Sequence, residues 1–332
     1  MAIVNFFPGG GAGGGDIGAL IERTITEYTG NNSVIGEYVF YNYSTLTGFD
    51  FPVCTEIGAH AFDRCQALTN ISFDQCTKIG IAAFSYCTAL TTASFPECTT
   101  IDSYAFHSCY SLAAISFPKC TQLNNDAFGY CSALTTVSFS LVTLIGGWCF
   151  TECSLLKDIY ISNCTLIGSF AFQGCKALLS VSFPECTYLY QGAFNACTNL
   201  NSVSIPKVTN INSSAFTNCH SLKTVNFPSA RTVGSGAFMG CELLSSVYFS
   251  AISSIYSSAF KSCASLSKIW LTSATKYHSS IVRLGNSNAF EGTGITSSTG
   301  SIYVPSAYLA SYKAAAQWSY FSNRIFSSTT NR

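Results

Sequence analysis

The chain has 332 residues, and its 16 Lys+Arg balance its 16 Asp+Glu, so the formal net charge is zero. Hydrophobic residues make up 48% and charged residues only 10%, against a usual value of about 25%, which excludes a disordered chain. A neutral chain lacks the basic surface that holds a nucleic-acid backbone, so nucleic-acid binding is not expected. The sequence also has no run of about 18 apolar residues, so no membrane-spanning helix is expected. We therefore expect a folded protein with a sizeable core.

The N-terminal region differs from the rest of the chain. Residues 1–18 contain the string PGGGAGGG, which predicts a flexible glycine-rich tether. This segment has no Lys or Arg, so it does not fit an export signal peptide. Residues 19–39 keep scattered apolar positions and are predicted to form a degenerate first coil. Since this end shows no obvious cap, we expect it to contact another subunit, with the tether as the attachment.

Residues 40–272 are tandem repeats. A Phe recurs every 22 residues from Phe40 to Phe260 without insertion or deletion. A Cys usually follows each Phe by three residues, and a Leu follows three residues later. A β-branched residue and a large apolar residue complete the unit. Members of the first three columns predicted to lie in the core are Phe62, Phe84, Phe106, Cys65, Cys87, Cys109, Leu68, Leu90 and Leu112.

Each repeat is predicted to form one coil of a stack. The pattern Leu-x-x-Ile-x-Phe alternates as a β-strand does, and a following Pro, as at Pro96, ends the strand. Glycine recurs further on, as at Gly58 and Gly80, and predicts a corner with positive φ. One coil cannot bury its own apolar face, so like coils must stack. The expected fold is a repeat solenoid, right-handed, with a parallel β-sheet along one face.

The 17 cysteines are predicted to be buried free thiols. A second cysteine column, which includes Cys120, holds Val142 and Val208 in other coils, so the position accepts aliphatic side chains. Disulfides between neighbouring coils are the alternative. Metal ligation is not expected, because the chain has no C-x-x-C pair and its four His lie in different repeats. No catalytic motif is present, so we expect no enzyme activity and no cofactor.

The C-terminal part departs from the repeat. Residues 273–301 form an irregular last repeat with an inserted loop, and residues 302–332 are predicted to be a cap of a strand and a short helix. The strand is expected at Ile302–Pro305 and the helix at Ser306–Gln317. The helical residues predicted to face the core are Tyr308, Leu309, Tyr312 and Ala316.

The unit Ile-Gly-x-x-Ala-Phe-x-x-Cys-x-x-Leu-x-x-Val-x-Phe-Pro resembles the BspA-like leucine-rich repeat family. The resemblance covers about residues 33–290. It implies a leucine-rich-repeat-like solenoid that takes part in surface adhesion and binding, without a common catalytic residue. The C-terminal segment is similar to endings found in such proteins of gut bacteria and their phages.

The residues between the core positions of each strand must point outward. Most are Ser or Thr, but Tyr160, Tyr248 and Trp270 occupy the position between the Ile and Phe columns. Tyr248 and Trp270 lie 22 residues apart, so we expect them to be neighbours on adjacent strands. Exposed Tyr and Trp are common in binding hot spots, so these three residues are the candidate ligand-binding patch. Solvated edge positions are the alternative interpretation.

These observations predict a recognition or adhesion module. We expect a tail-associated, host-binding component of a phage virion or a bacterial cell-surface protein, since virion proteins need no export signal. The expected partner is a host-surface protein or glycan, with other virion or surface subunits at the tether. The alternative is a structural assembly subunit, such as a fibre, sheath or decoration protein, and a homo-oligomer would favour it. Low surface charge gives little protection against association.

Overall fold

A computed structural model describes residues 26–272, 281–297 and 299–328. The fold is a parallel β-solenoid with a short C-terminal helical segment, as the sequence predicts. The chain forms two compact units, Met1–Ile161 and Ser162–Arg332. The predicted tether of residues 1–18 lies outside the described residues.

The coils of the first unit supply strands to two faces of parallel strands, of which one is a continuous ladder and the other is divided into sheets of two or three strands. Three-residue strands form what we term the strand face: β1 Glu27–Thr29, β3 Gly48–Asp50, β5 Asn70–Ser72, β7 Thr92–Ser94, β9 Ala114–Ser116, β11 Thr136–Ser138 and β13 Asp158–Tyr160. Two-residue strands form the corner ladder: β2 Val34–Ile35, β4 Glu56–Ile57, β6 Lys78–Ile79, β8 Thr100–Ile101, β10 Gln122–Leu123 and β12 Leu144–Ile145.

The second unit repeats this arrangement. Its strand face contains β15 Ser180–Ser182, β17 Ser202–Ser204, β19 Thr224–Asn226, β21 Ser246–Phe249, β23 Lys268–Leu271, β25 Ser301–Pro305 and β26 Ile325–Ser328. Its corner ladder contains β14 Leu166–Ile167, β16 Tyr188–Leu189, β18 Asn210–Ile211, β20 Thr232–Val233, β22 Ser254–Ile255 and β24 Arg283–Leu284. Strands from successive coils pair in parallel, for example β19 with β21 and β20 with β22.

The strands follow the alternation in the sequence. In β5 the central Ile71 is buried, and Asn70 and Ser72 on either side are exposed. The register pairs each residue with the one 22 positions later, as Asn70 pairs with Thr92. The corner ladder is a second sheet, whereas the sequence shows only a column of apolar residues at these positions. Its second residue, such as Ile57, is buried and completes the opposite wall of the core.

The glycine column has a different cause from the one predicted. A Cβ on Gly58 would lie 2.8 Å from the Glu37 backbone nitrogen in the preceding coil, so glycine here allows a closer approach and does not provide positive φ. Asp102 and Asn124 hold the same column, and their backbone nitrogens lie 3.0 and 3.3 Å from the carbonyl oxygen of the preceding coil, against 2.8 Å at Gly58. Positive φ occurs instead two residues before and two residues after each Phe, for example at His60 (φ 55°) and Arg64 (φ 65°) around Phe62. The prediction of a left-handed glycine corner was therefore wrong.

We term the segment around each column Phe the turn face. There the backbone N–H of His60, Phe62 and Arg64 donates to the carbonyls of residues 81, 83 and 85 of the next coil, at 2.7–2.8 Å. These bonds join successive coils without extended strands. The left-handed residues His60 and Arg64 direct their N–H groups toward the next coil. The hydrogen bonds between coils offset the cost of this conformation for residues other than glycine.

The core is a ladder of like residues. All nine predicted core residues are fully buried. The rings of Phe62 and Phe84 stack with centroids 5.1 Å apart and an angle of 2°. The Cys column also satisfies the backbone, because the Cys87 thiol donates to the Phe62 carbonyl at 3.2 Å. A thiol is small and apolar and still supplies a weak donor, which suits this buried position.

The C-terminal cap contains the predicted strand, β25, and a second strand, β26, that the sequence did not indicate. Between these two strands lie two helices, α1 Leu309–Ala314 and α2 Ala316–Ser319, and two short 3-10 helices, Ser306–Tyr308 and Ser322–Arg324. A further 3-10 helix, Ser287–Phe290, precedes β25. The single predicted helix is therefore divided, because Ala315 is extended (ψ 128°).

The buried side of the cap also differs from the prediction. Tyr312 is buried as expected, but Tyr308 and Leu309 are half-buried and Ala316 is exposed. Trp318, which was not predicted, is fully buried and donates its indole N–H to the Val282 carbonyl at 2.8 Å. The Val282 N–H in turn donates to the Tyr312 hydroxyl at 3.0 Å. Tyr312 and Trp318 thus bind the N–H and the carbonyl of Val282, respectively. Trp318 also packs near Phe290, the last Phe of the column.

Candidate functional site

The outward positions of the strand face carry the candidate site. Along this face the sheet presents mainly Ser, Thr and Asn, as in β15 and β17. Toward the C-terminus the same position becomes aromatic in four successive strands. We term these four residues the aromatic stripe; they are Tyr248, Trp270, Tyr303 and Phe326.

The register places the members of the aromatic stripe side by side. Tyr248 pairs with Trp270 across β21 and β23, so the predicted adjacency is confirmed. Trp270 pairs with Tyr303, and Tyr303 pairs with Phe326. Because each pairing joins hydrogen-bonded strands, the rings form a continuous row across one sheet of the second unit.

The rings pack on one another to different degrees. The Trp270 and Tyr303 rings stack with centroids 5.4 Å apart at 14°, and Tyr303 lies 6.3 Å from Phe326 at 40°. The Thr272 hydroxyl donates to the Tyr248 hydroxyl at 3.2 Å, which fixes the end of that side chain. Phe326 has 47% of its surface exposed and Tyr248 has 37%. Trp270 and Tyr303 are half-buried, so the row has an exposed ring at each end and two partly covered, stacked rings between them.

Sequence reasoning found only half of this row. Tyr303 and Phe326 lie beyond the point where the 22-residue register is lost, so stepping along the repeat does not reach them. The only available signal was the strand pattern at residues 302–305. Nothing in the local sequence of residues 325–328 shows that this segment pairs with β25.

Tyr160 is not part of the aromatic stripe. It lies in β13 of the first unit, where it pairs with Ser138 and is 61% exposed. The structure therefore brings Tyr248 and Trp270 together but leaves Tyr160 without an aromatic cross-strand partner in its pairing with β11.

The cysteines do not form a reactive site. All 17 lie in the described part of the chain, are buried and form no disulfide, which agrees with the predicted free thiols. Burial raises the pKa of the Cys120 thiol to about 11 and that of Cys98 to about 12. Cys54 differs, because its hydrogen bond with the Cys76 thiol lowers its pKa and raises that of Cys76. Since thiolates are the nucleophiles and metal ligands, protonated buried thiols are inert.

Two further observations bear on chemistry. In the described part of the chain, no three His, Cys, Asp or Glu side chains gather in a way that could hold a metal ion. The helices within the described ranges are also too short or too polar to cross a membrane.

A stack of 22-residue coils with Phe, Cys and Leu ladders and a polar parallel sheet defines a leucine-rich repeat solenoid. The model of the BspA type leucine-rich repeat region matches residues 22–135, 94–201 and 187–308, with six copies. These matches span most of the chain, so the protein belongs to the BspA-type leucine-rich repeat family. Leucine-rich repeat families of this kind are generally non-enzymatic.

Solved structures agree with this assignment. A leucine-rich repeat protein from Bacteroides ovatus ATCC 8483 is 25% identical, with a TM-score of 0.50, over 85% of this chain and 84% of that chain. A leucine-rich repeat protein from Eubacterium ventriosum ATCC 27560 has the same fold at 23% identity, with a TM-score of 0.52, over 84% of this chain and 87% of that one. A comparison with curated proteins found no significant match.

Proposed function

We propose that this protein is a non-catalytic recognition and adhesion module that acts at a surface. The aromatic stripe carries this proposal. Its four rings occupy outward positions of a rigid sheet where other coils carry small polar residues, and the core does not need them there. Exposed Tyr and Trp concentrated in one place are typical of binding hot spots.

A protein partner suits the aromatic stripe better than a glycan. Stacking on a sugar ring requires a free aromatic face, but the facing surfaces of Trp270 and Tyr303 are occupied by each other. The ring surfaces that remain form a row along the sheet and combine apolar carbon atoms with the hydroxyl groups of Tyr248 and Tyr303. An elongated apolar contact on a protein surface complements such a row. We therefore favour a host-surface protein as partner, with a glycan as the second candidate.

Two settings fit a module of this kind. One is the surface of a gut bacterium, which the family membership supports. The other is a tail-associated position on a phage virion, which the similarity of the C-terminal segment to phage-type endings supports. In either setting the repeats would hold the stripe at a fixed position on a stiff support.

A double substitution tests the site. Tyr248→Ser with Trp270→Ser introduces the residue found at the equivalent position in β15 and β17, so the coil should fold unchanged. We expect the labelled full chain to bind gut bacterial or epithelial cells at least tenfold more weakly, because removal of even one hot-spot residue causes a loss of this size. Treating the cells with protease or with periodate separates a protein partner from a glycan.

Two controls sharpen this test. Tyr188→Ser removes a tyrosine that is 61% exposed on the corner ladder and should leave binding unchanged. Tyr160→Ser measures the isolated candidate separately. Full binding by the double variant would refute the site. Light scattering of the native protein tests the alternative of a structural assembly subunit, since a defined oligomer that needs the stripe would favour assembly over recognition.

A further inference from the structure

The turn face of the first unit contains a groove of about 550 Å³ that is separate from the aromatic stripe. Its rim carries four large aromatic residues, Tyr104, Tyr110, Tyr130 and Trp148. Each has between 42% and 46% of its surface exposed. Its volume lies in the range of about 300–1,000 Å³ that is usual for small-molecule sites.

The fold does not require aromatic residues at these positions. Tyr104, Tyr130 and Trp148 all have left-handed backbone (φ 62°, 61° and 53°), which bulky side chains adopt at a cost of about 1–3 kcal/mol. The equivalent positions of the second unit often hold small residues, such as Ser214 and Ser258. A small residue serves the coil equally well, so the aromatic side chains need an explanation other than folding.

A polar pair forms the floor of the groove. His107 Nδ1 lies 2.9 Å from Asp126 Oδ1, and the two side chains are only 16% and 14% exposed. Because a carboxylate oxygen accepts, Nδ1 carries the hydrogen of this bond and donates it, and Nε2 is the second hydrogen-bonding atom of the ring. A Cβ on Gly129 would lie 1.8 Å from Asp126 Oδ1, so glycine at this position makes room for the pair.

The aromatic rings hold this floor in place. Tyr104, Tyr130 and Tyr86 lie 5.7, 5.3 and 5.6 Å from the His107 ring, at angles of 65–69°. The imidazole therefore occupies the centre of the tyrosine cluster and meets the rings edge to face. The space that remains is an open groove with an aromatic rim and a floor of hydrogen-bonding groups, including the buried Ser108.

We propose that this groove binds a neutral sugar residue of a glycan. The C–H face of a pyranose carries partial positive charge and suits the electron-rich faces of half-exposed Tyr and Trp rings. Its hydroxyl groups can form hydrogen bonds with Nε2 of His107, donate to Asp126 and exchange hydrogen bonds with Ser108. A quaternary ammonium group fits less well, because it donates no hydrogen bond and so leaves the hydrogen-bonding groups of the floor unused.

Saturation-transfer NMR with the full chain tests this site. The probes are neutral trisaccharides built from glucose, galactose, mannose or N-acetylglucosamine, with choline and sialic acid as comparison ligands. We expect at least one neutral trisaccharide to bind. The variants Trp148→Ser and Tyr130→Ser should each weaken that binding by tenfold or more. Both introduce a residue that other left-handed positions of the repeat already hold, so folding should persist.

Tyr38→Ser is the matched control, because Tyr38 is also left-handed (φ 59°) and half-exposed but does not line the groove. It should bind the trisaccharide as the native chain does. Gly129→Ala should displace the carboxylate and weaken binding as well. The proposal is overturned if none of the neutral sugars binds, if binding survives the groove variants, or if choline alone binds. Variants of the aromatic stripe leave this readout unchanged, so the two proposals fail independently.

Discussion

Gly80→Ala tests whether close contact between coils, and not backbone conformation, explains the glycine column. An added Cβ would lie 2.8 Å from the Ala59 nitrogen, 2.8 Å from the Gly58 carbonyl carbon and 2.9 Å from the Ile57 oxygen. All three are backbone atoms of the preceding coil, so no side chain can rotate away. Relief requires the two coils to separate slightly, which stretches the 2.8 Å bond from Gly80 N–H to the Ile57 carbonyl. The equivalent bonds at Asp102 and Asn124, which carry a Cβ in the same column, are 3.0 and 3.3 Å long.

The magnitude follows from two opposing effects. Overpacking of this kind costs about 1–3 kcal/mol. Replacing glycine also lowers the entropy of the unfolded chain, which restores about 0.4–1 kcal/mol. We expect a net loss of roughly 1–2 kcal/mol in the free energy of unfolding, since the first effect exceeds the second. At about 2–4 °C for each kcal/mol in a domain of this size, the melting temperature should fall by several degrees.

Gly48→Ala is the matched control in the same unit. A Cβ at Gly48 meets no atom within 4 Å, and the equivalent residues Asn70 and Thr92 carry side chains. This variant should be as stable as the native chain or slightly more stable. Urea denaturation followed by circular dichroism, in reductant, compares the two variants. Equal stability within about 0.5 kcal/mol, the scatter of neutral surface changes, would refute the reasoning.

Two further predictions concern the thiols. Both thiols donate to a carbonyl, Cys131 to that of Phe106 in a buried bond and Cys120 to that of Gln122 in a partly buried one. Because Val142 already replaces the thiol in the second column, Cys131→Val should cost about 1 kcal/mol more than Cys120→Val in urea denaturation. Equal costs would contradict a special role for the buried bond of the first column. Because burial raises the pKa of Cys120 from about 9 to about 11, its contribution to stability is complete below pH 9 and is lost between pH 9 and pH 11. The stability measured across this range should therefore fall less steeply in Cys120→Val than in the native chain, and identical slopes would contradict the shift.

The repeating part of the fold could be predicted from the sequence because every coil has the same length. An unbroken 22-residue period determines which residues form the Phe, Cys and Leu ladders, and alternation within Leu-x-x-Ile-x-Phe determines which residues point outward. These are local patterns that recur, so one coil predicts the next. The same regularity predicts that Tyr248 lies beside Trp270, and the strand pairing confirms it.

The extent of both candidate sites depended on the tertiary structure. Tyr303 and Phe326 join the aromatic stripe only because the chain returns to the sheet after an irregular segment, and no period predicts that return. The groove around His107 and Asp126 depends on left-handed residues that bring side chains of successive coils together. The repeat pattern therefore predicts the family and the core, since both depend on local repetition, whereas it leaves disulfides between neighbouring coils as an alternative that only the structure decides. The tertiary structure decided which exposed residues act together, because that depends on contacts between segments that share no period.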